Sequence, residues 1–212
     1  MNQLIQGSPD WFTARLGIVT ASRVADIVAR TKSGYSASRA NYMAQLLAER
    51  LTGNVAESFS NAAMQWGVDH EPAAKAAYEF FNDADIETLG FVAHPTITMA
   101  GASPDGAVGL DGLVEVKCPL TATHIETLLT GAIPGKYEIQ MLWQMACTGR
   151  DWCDFVSYDP RMPESMCVFV KRLERDVGRI AALEMEVRTF IEELNGTIGQ
   201  LLDAFAAASE AA

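Results

Sequence analysis

The strongest constraint on this fold is a change of hydrophobic period along the chain. Through about Asp83 the apolar residues recur at helical intervals. Thr20-Ala21-Ser22 can cap a short helix through Arg30, and Ser36 or Ser38 can open another that stops at Gly53. Ala62, Trp66, Ala73, Ala77 and Phe81 then trace a long helix with a bend expected near Pro72. After that the period shortens, and 88–93, 96–100, 106–108 and 113–117 read as the short strands of a small meander, set off by Pro, Gly and Asp turns. Helices at 122–130 and 136–147 and strands at 153–157 and 166–171 follow. The steps of three and four between Val177, Ile180, Leu183, Val187, Phe190, Leu194, Ile198, Leu201 and Phe205 predict a long amphipathic helix over about 173–208, weakened at its end by Gly196 and Gly199. This order predicts an α/β (α+β) fold with helices packed on a central sheet.

At 212 residues the chain is long enough for one domain with a substantial core, and no internal repeat or linker divides it, so 1–212 is expected to form a single unit. Residues that are 49% hydrophobic and 20% charged exclude a disordered chain, and no apolar run approaches the roughly 20 residues of a membrane helix. Met1-Asn2-Gln3-Leu4-Ile5-Gln6 lacks a basic stretch followed by an apolar one, so a cytoplasmic protein is expected. Four cysteines without a CxxC pair, beside only three histidines, argue against a zinc site and for reduced, buried thiols. The net charge of −11 speaks against a surface with general nucleic-acid affinity. It leaves room for a groove where local cations grip a polyanion.

The segment richest in chemistry is Ala102-Ser103-Pro104-Asp105-Gly106, followed after a turn by Leu113-Val114-Glu115-Val116-Lys117. On a strand, Glu115 and Lys117 share one face while Val114 and Val116 enter the core. Asp105 needs only a neighbouring strand end to join them. Two carboxylates and a backbone carbonyl, that of Val116, offer the hard oxygen ligands that Mg²⁺ prefers, and the Lys117 ammonium could orient or help deprotonate the attacking water and offset phosphate charge. Taken singly, a Glu-x-Lys pair is commonly a solvated charge pair and an Asp-Gly a turn.

Together these elements resemble the PD-(D/E)xK nuclease superfamily. The flanks sharpen the resemblance: Trp11, Arg15-Leu16-Gly17-Ile18-Val19-Thr20-Ala21-Ser22, Trp66-Gly67 with Glu71, Ser103-Pro104-Asp105-Gly106, Glu115-Val116-Lys117-Cys118-Pro119, Tyr137 with Gln140, and Tyr158-Asp159-Pro160-Arg161-Met162 occur in this order. From Trp11 to Met162 the chain is similar to the lambda exonuclease family, the YqaJ-like viral recombinases. That resemblance implies a restriction-endonuclease-like core with a central mixed sheet flanked by helices. It implies a processive Mg²⁺-dependent 5′-to-3′ exonuclease on double-stranded DNA, releasing 5′-mononucleotides and leaving a 3′ overhang. Two Mg²⁺ ions are expected, with Mn²⁺ as a substitute. The expected partners are 5′-phosphorylated DNA ends, two further copies in a homotrimeric ring, and a single-strand annealing protein.

The resemblance also distributes roles. Asp105, Glu115 and the Val116 carbonyl would hold metal, with Glu71 as a further acidic contributor whose alternative is a solvated carboxylate at a helix start. Lys117 is the positioning cation. Arg15 would take the 5′-phosphate, aided by Ser22 and Ser103 and more weakly by Thr20; helix capping and a turn hydroxyl are the competing readings of the two serines. Tyr137 and Gln140, three apart on one helix face, would stand beside the catalytic strands, or serve as hydrogen bonders at the core edge. Met64 could wedge against a terminal base pair, although helix core is the stronger reading for it. The four tryptophans are expected to pack. Thr123 departs from the lambda protein, which carries a basic residue there, and His124 is read as structural or solvent-facing. A restriction-type or structure-specific endonuclease, a non-catalytic DNA-end-binding protein and an acidic interaction protein are the alternatives.

Overall fold

The structure, a computed structural model, describes residues 6–55 and 62–210. Its elements are α1 (Pro9–Ala14), β1 (Val19–Thr20), α2 (Ala21–Val28), the hairpin β2 (Arg30–Thr31) and β3 (Gly34–Tyr35), α3 (Ala37–Thr52), α4 (Ala62–Asn82), β4 (Ile86–Glu87), β5 (Val92–Ala93), β6 (Ala100–Ala102), β7 (Gly106–Val108), β8 (Gly112–Lys117), α5 (Thr121–Thr130), α6 (Gly135–Thr148), β9 (Trp152–Tyr158), a 3-10 turn (Glu164–Met166), β10 (Val168–Glu174) and α7 (Val177–Glu210). Among the described residues no helix is long and apolar enough to cross a membrane.

The expected mixed sheet is present, in the order β10-β9-β8-β7-β4. β7 and β8 form an antiparallel hairpin, whereas β8 runs parallel to β9, with Glu115 opposite Phe155 and Lys117 opposite Ser157. A parallel pair needs a crossover, and α5 and α6 supply it. A smaller sheet, β1-β6-β5, pairs Val19 in parallel with Ala100 just ahead of Ser103 and Asp105.

Two apolar clusters sandwich the main sheet. One joins α2, α3, α6 and α7 through residues such as Ile27, Tyr42, Trp143 and Phe190, and takes Leu113 from β8. The other receives Val114 and Val116 and packs them against Ala74 and Tyr78 of α4. β8 is therefore apolar on its α4 face and carries Leu113, Glu115 and Lys117 on its α6 face, as period two requires.

Several local expectations are corrected. The stretch 96–100 is mostly turn: Met99 adopts a positive φ of 65°, and extended pairing begins only at Ala100. Of the strand expected over 88–93 only Val92–Ala93 is extended, as β5, while β4 lies before it at Ile86–Glu87. β10 starts at Val168 because the 3-10 turn takes Met166, and it runs on to Glu174 by pairing with the whole of β9. That extension delays α7 to Val177. α1 and the β2–β3 hairpin are too short for periodicity to reveal, although Ser8 caps α1, its hydroxyl accepting from Trp11 N–H at 3.2 Å, with Pro9 as first helical residue. Ser36 caps α3, which ends at Gly53 in the left-handed region.

α7 packs within this chain only over part of its apolar stripe. Ile180, Leu183, Val187, Phe190 and Leu194 are buried, while Val177, Leu202 and Phe205 are exposed. Phe190 stacks on Tyr42 with ring centroids 5.7 Å apart. Phe190→Ala is expected to destabilise the protein by about 3–5 kcal/mol in urea unfolding, since it empties a fully buried aromatic site.

Candidate active site

Asp105 lies between β6 and β7, and the β7–β8 hairpin brings it against the backbone of Val116, whose N–H donates to Asp105 Oδ2 at 2.7 Å. Glu115 is wholly buried beneath α6. Its Oε1 accepts from Gln140 Nε2 at 2.6 Å, and its Oε2 from Gln144 Nε2 at 2.5 Å. The Lys117 ammonium pairs with the same carboxylate. Gln140 is thus a direct partner of the acidic centre rather than a hydrogen bonder at the core edge. Gln144 escaped sequence reading, although its i,i+4 relation to Gln140 puts both amides on one face of α6.

The field at this site is strongly negative. Burial and the charge of Glu115 push the Asp105 carboxyl up to about 7, with Glu71 adding in the same direction. For Lys117 burial acts downward, but Glu115 and Asp105 outweigh it and hold the ammonium above its usual range. Lys117 lies 5.2 Å from the centre of the Tyr137 ring, which stacks on Phe155 at 5.6 Å. Cys118 stays a thiol, because burial pushes it up to about 12.

A cavity of about 640 Å³ opens over these residues, with Glu71, Val116, Lys117, Tyr137 and Gln140 on its walls. Glu71 stands on the α4 side, paired with Lys75 at 2.7 Å. Among the described residues no three His, Cys, Asp or Glu side chains converge on one point. The donors that fit a divalent cation are Asp105, Glu115 and the Val116 carbonyl, all hard oxygens. The fit is supported by the two buried carboxylates facing a single ammonium, an imbalance that a dication offsets.

An adjoining cavity of about 320 Å³ is walled by Trp11, Arg15 and Thr20 and shares Ser22 and Met64 with the first. Ser103 Oγ accepts from both Arg15 NH1 and Trp11 Nε1 at 3.0 Å, and the Arg15 guanidinium lies 3.9 Å above the Trp11 ring. Ser103 is therefore a long-range acceptor rather than a simple turn hydroxyl. Burial lowers Arg15 to about 10, which leaves it cationic at neutral pH. Its loop is held by Gly17, whose N–H donates to Glu49 at 2.9 Å and whose carbonyl accepts from Arg50 at 2.8 Å. Gly17 has a φ of +66°, and a Cβ there would run into Arg50.

Two expectations change here. Ser22 is exposed in the first turn of α2 and is not its cap; Thr20 holds that place without a side-chain cap bond. Met64 is 52% exposed on the rim between the cavities, not in the helix core. Of the two readings of His124 the structural one holds: it is fully buried, one ring nitrogen 2.8 Å from Ser157 Oγ and the other 2.8 Å from the Met166 carbonyl, so it ties α5 to β9. Thr123 borders a separate hollow beside Tyr137, whereas Lys136 reaches the main cavity and was missed from sequence.

Residues 10–151 match the family described as the YqaJ-like viral recombinase domain. The chain belongs to this family. It is similar to an alkaline exonuclease, LHK-Exo, from Laribacter hongkongensis, with 51% identity over 95% of this chain and 100% of that one, at a TM-score of 0.89. A structure of LHK-Exo in complex with dAMP agrees equally well, with 52% identity, the same coverage and a TM-score of 0.89. A phage-related exonuclease from Haemophilus somnus 129PT shares the fold, with 14% identity over 89% of this chain and 96% of that one and a TM-score of 0.65. No curated protein matches. In this member of the YqaJ-like family the PD-(D/E)xK pattern is complete as Asp105, Glu115 and Lys117.

A carboxyl raised on folding stabilises below its unfolded pKa, and that stability is lost as pH rises through the folded value. Metal-free protein should therefore weaken between about pH 4 and 7. In EDTA at pH 8, Asp105→Asn is expected to exceed the wild type in unfolding free energy by about 2 kcal/mol, with the gap closing near pH 4. Denaturant titrations at the two pH values check this.

Proposed function

We propose that the protein is a Mg²⁺-dependent processive exonuclease that degrades one strand of double-stranded DNA from its 5′ end. The observation that carries this reading is the junction of two cavities, one walled by Glu71, Val116, Lys117 and Gln140 and the other by Arg15, whose guanidinium donates to Ser103, with Ser22 and Met64 on their common rim. A catalytic centre beside a cationic pocket suits a substrate held by its terminal phosphate. The similarity to an alkaline exonuclease supports the same reading.

Arg15 presents a planar guanidinium to the 5′-phosphate, and the Trp11 indole and Ser103 fix its orientation. Gln140 and Gln144 hold Glu115 in one rotamer, and the Val116 N–H does the same for Asp105. Bound Mg²⁺, held by Asp105, Glu115 and the Val116 carbonyl with Glu71 nearby, would supply Lewis acidity toward the phosphoryl group and make water a better nucleophile. Lys117, kept cationic by its neighbours, offsets the charge that builds on the phosphoryl oxygens. Tyr137 walls the site beside it. Processivity would come from a homotrimeric ring around the duplex, and the 3′ overhang would pass to a single-strand annealing protein.

Linear duplexes labelled separately at each 5′ and 3′ end, with Mg²⁺ or EDTA and a covalently closed circle as control, test the proposal. Mononucleotide release from 5′ ends in Mg²⁺ with an intact circle is expected. Cutting of the circle would favour an endonuclease, and end binding without cleavage a non-catalytic binder. Lys117→Ala should lower turnover on the order of 10³-fold while DNA-end binding persists, and near-normal turnover would refute its role. For Arg15→Ala the rate advantage of 5′-phosphorylated over 5′-hydroxyl ends should shrink by roughly tenfold or more. An unchanged preference would remove Arg15 from the pocket.

A further inference from the structure

Two stretches that the proposed chemistry does not use, Trp66–His70 of α4 and Asp159–Arg161 beyond β9, meet in space. α4 is a helix in two mechanical parts. Pro72 has no N–H, so the Val68 carbonyl loses its helical donor and the two halves are less tightly coupled. Beyond Pro72, Ala74 and Tyr78 are buried and the Tyr78 hydroxyl donates to Asp154 at 2.8 Å. Before it, residues 62–71 include no buried side chain, yet Met64, Gly67, Val68 and Glu71 wall the catalytic cavity.

Trp66 ties this half to the apolar interior. Its ring is packed at the edge of the second apolar cluster and stacked with His70 at 3.6 Å. The Arg161 guanidinium lies 4.1 Å from the centre of the same ring. Arg161 is itself aimed by Asp159, donating through Nε at 2.7 Å and NH2 at 2.9 Å, with its backbone N–H at 3.0 Å as a third bond. Asp159 is fully buried; burial alone would raise its carboxyl, but the bonds from Arg161, with one from the Thr121 hydroxyl, prevail and hold it at about 2. The arm is thus rigid at its base and exposed at its tip, where 44% of the Arg161 side chain remains accessible.

The geometry points to Arg161 as a positioning residue: the Asp159–Arg161–Trp66 clamp sets where the first half of α4 lies against the catalytic strands, and with it the cavity wall that carries Glu71. The catalytic consequence rests on the function proposed above, whereas the clamp itself does not. A stacked guanidinium at a partly exposed site is a modest contact, of a size that biases a local position without deciding whether the protein folds.

The test uses Arg161→Lys, which leaves Asp159 a cationic partner but removes the flat stack, and Trp66→Leu as a second route to the same loss. Hydrogen exchange in the full chain should quicken about tenfold for amides of 63–71 and stay unchanged for 73–82. Cleavage should fall about tenfold in kcat with DNA-end affinity retained, and Arg161→Lys should cost nothing further in a Glu71→Gln background. Unchanged exchange in 63–71, faster exchange spread evenly over the chain, or losses that add fully with Glu71→Gln would each overturn the clamp. Absence of DNA cleavage by the wild type would refute the proposed function instead, and the exchange pattern would still decide the clamp.

Discussion

A carboxylate with no exposure to water is the constraint around which this molecule is arranged. Burying the Glu115 charge is costly unless donors surround it, and those donors come from α6 and from Lys117 on the same strand. Gln140 and Gln144 reach the carboxylate only because Met141 through Cys147 are all buried, which locks α6 in rotation as well as in position. The helix belongs to the crossover between β8 and β9, so chain topology itself delivers it onto the strand that carries Glu115. Packing, sheet order and the acidic centre are one solution to one electrostatic problem.

That solution leaves an imbalance that packing does not remove. Asp105 sits close enough to Glu115 for burial and repulsion to raise its carboxyl, and Lys117 answers only part of the negative field. A site that holds two carboxylates this close is one that the bare chain keeps at some cost in stability, a common relation between activity and folding. An overall charge of −11 is compatible with this arrangement, since Arg15, Arg23, Lys117 and Lys136 wall the two cavities and cations need not coat the whole surface.

Features set by short-range regularity were legible in the sequence. Alternation on β8 assigned Glu115 and Lys117 to one face, and Ser36 with Gly53 bracketed α3, because period and capping are local physics. Features set by distant partners were not. Nothing near Met99 announces the positive φ that delays β6, and β10 extends to Glu174 because β9 is there to pair with it. Gln144 acquires its role from a partner far away in sequence, so it looked ordinary among its neighbours, and the partners of His124 are equally distant. Met64 fitted a helical apolar stripe, but in its half of α4 the stripe faces a cavity instead of a core.

The parallel pairing of Val19 with Ala100 has a metric consequence. It brings the Arg15 loop beside the strand that leads, through Ser103, to Asp105. Only Pro104 separates Ser103 from Asp105, so under the proposed function the grip on a terminal phosphate and the carboxylate beside the scissile bond would be joined by a short length of backbone. Under that reading the protein would act as a gauge: the size of each product would be read off the main chain, and no side chain need count nucleotides.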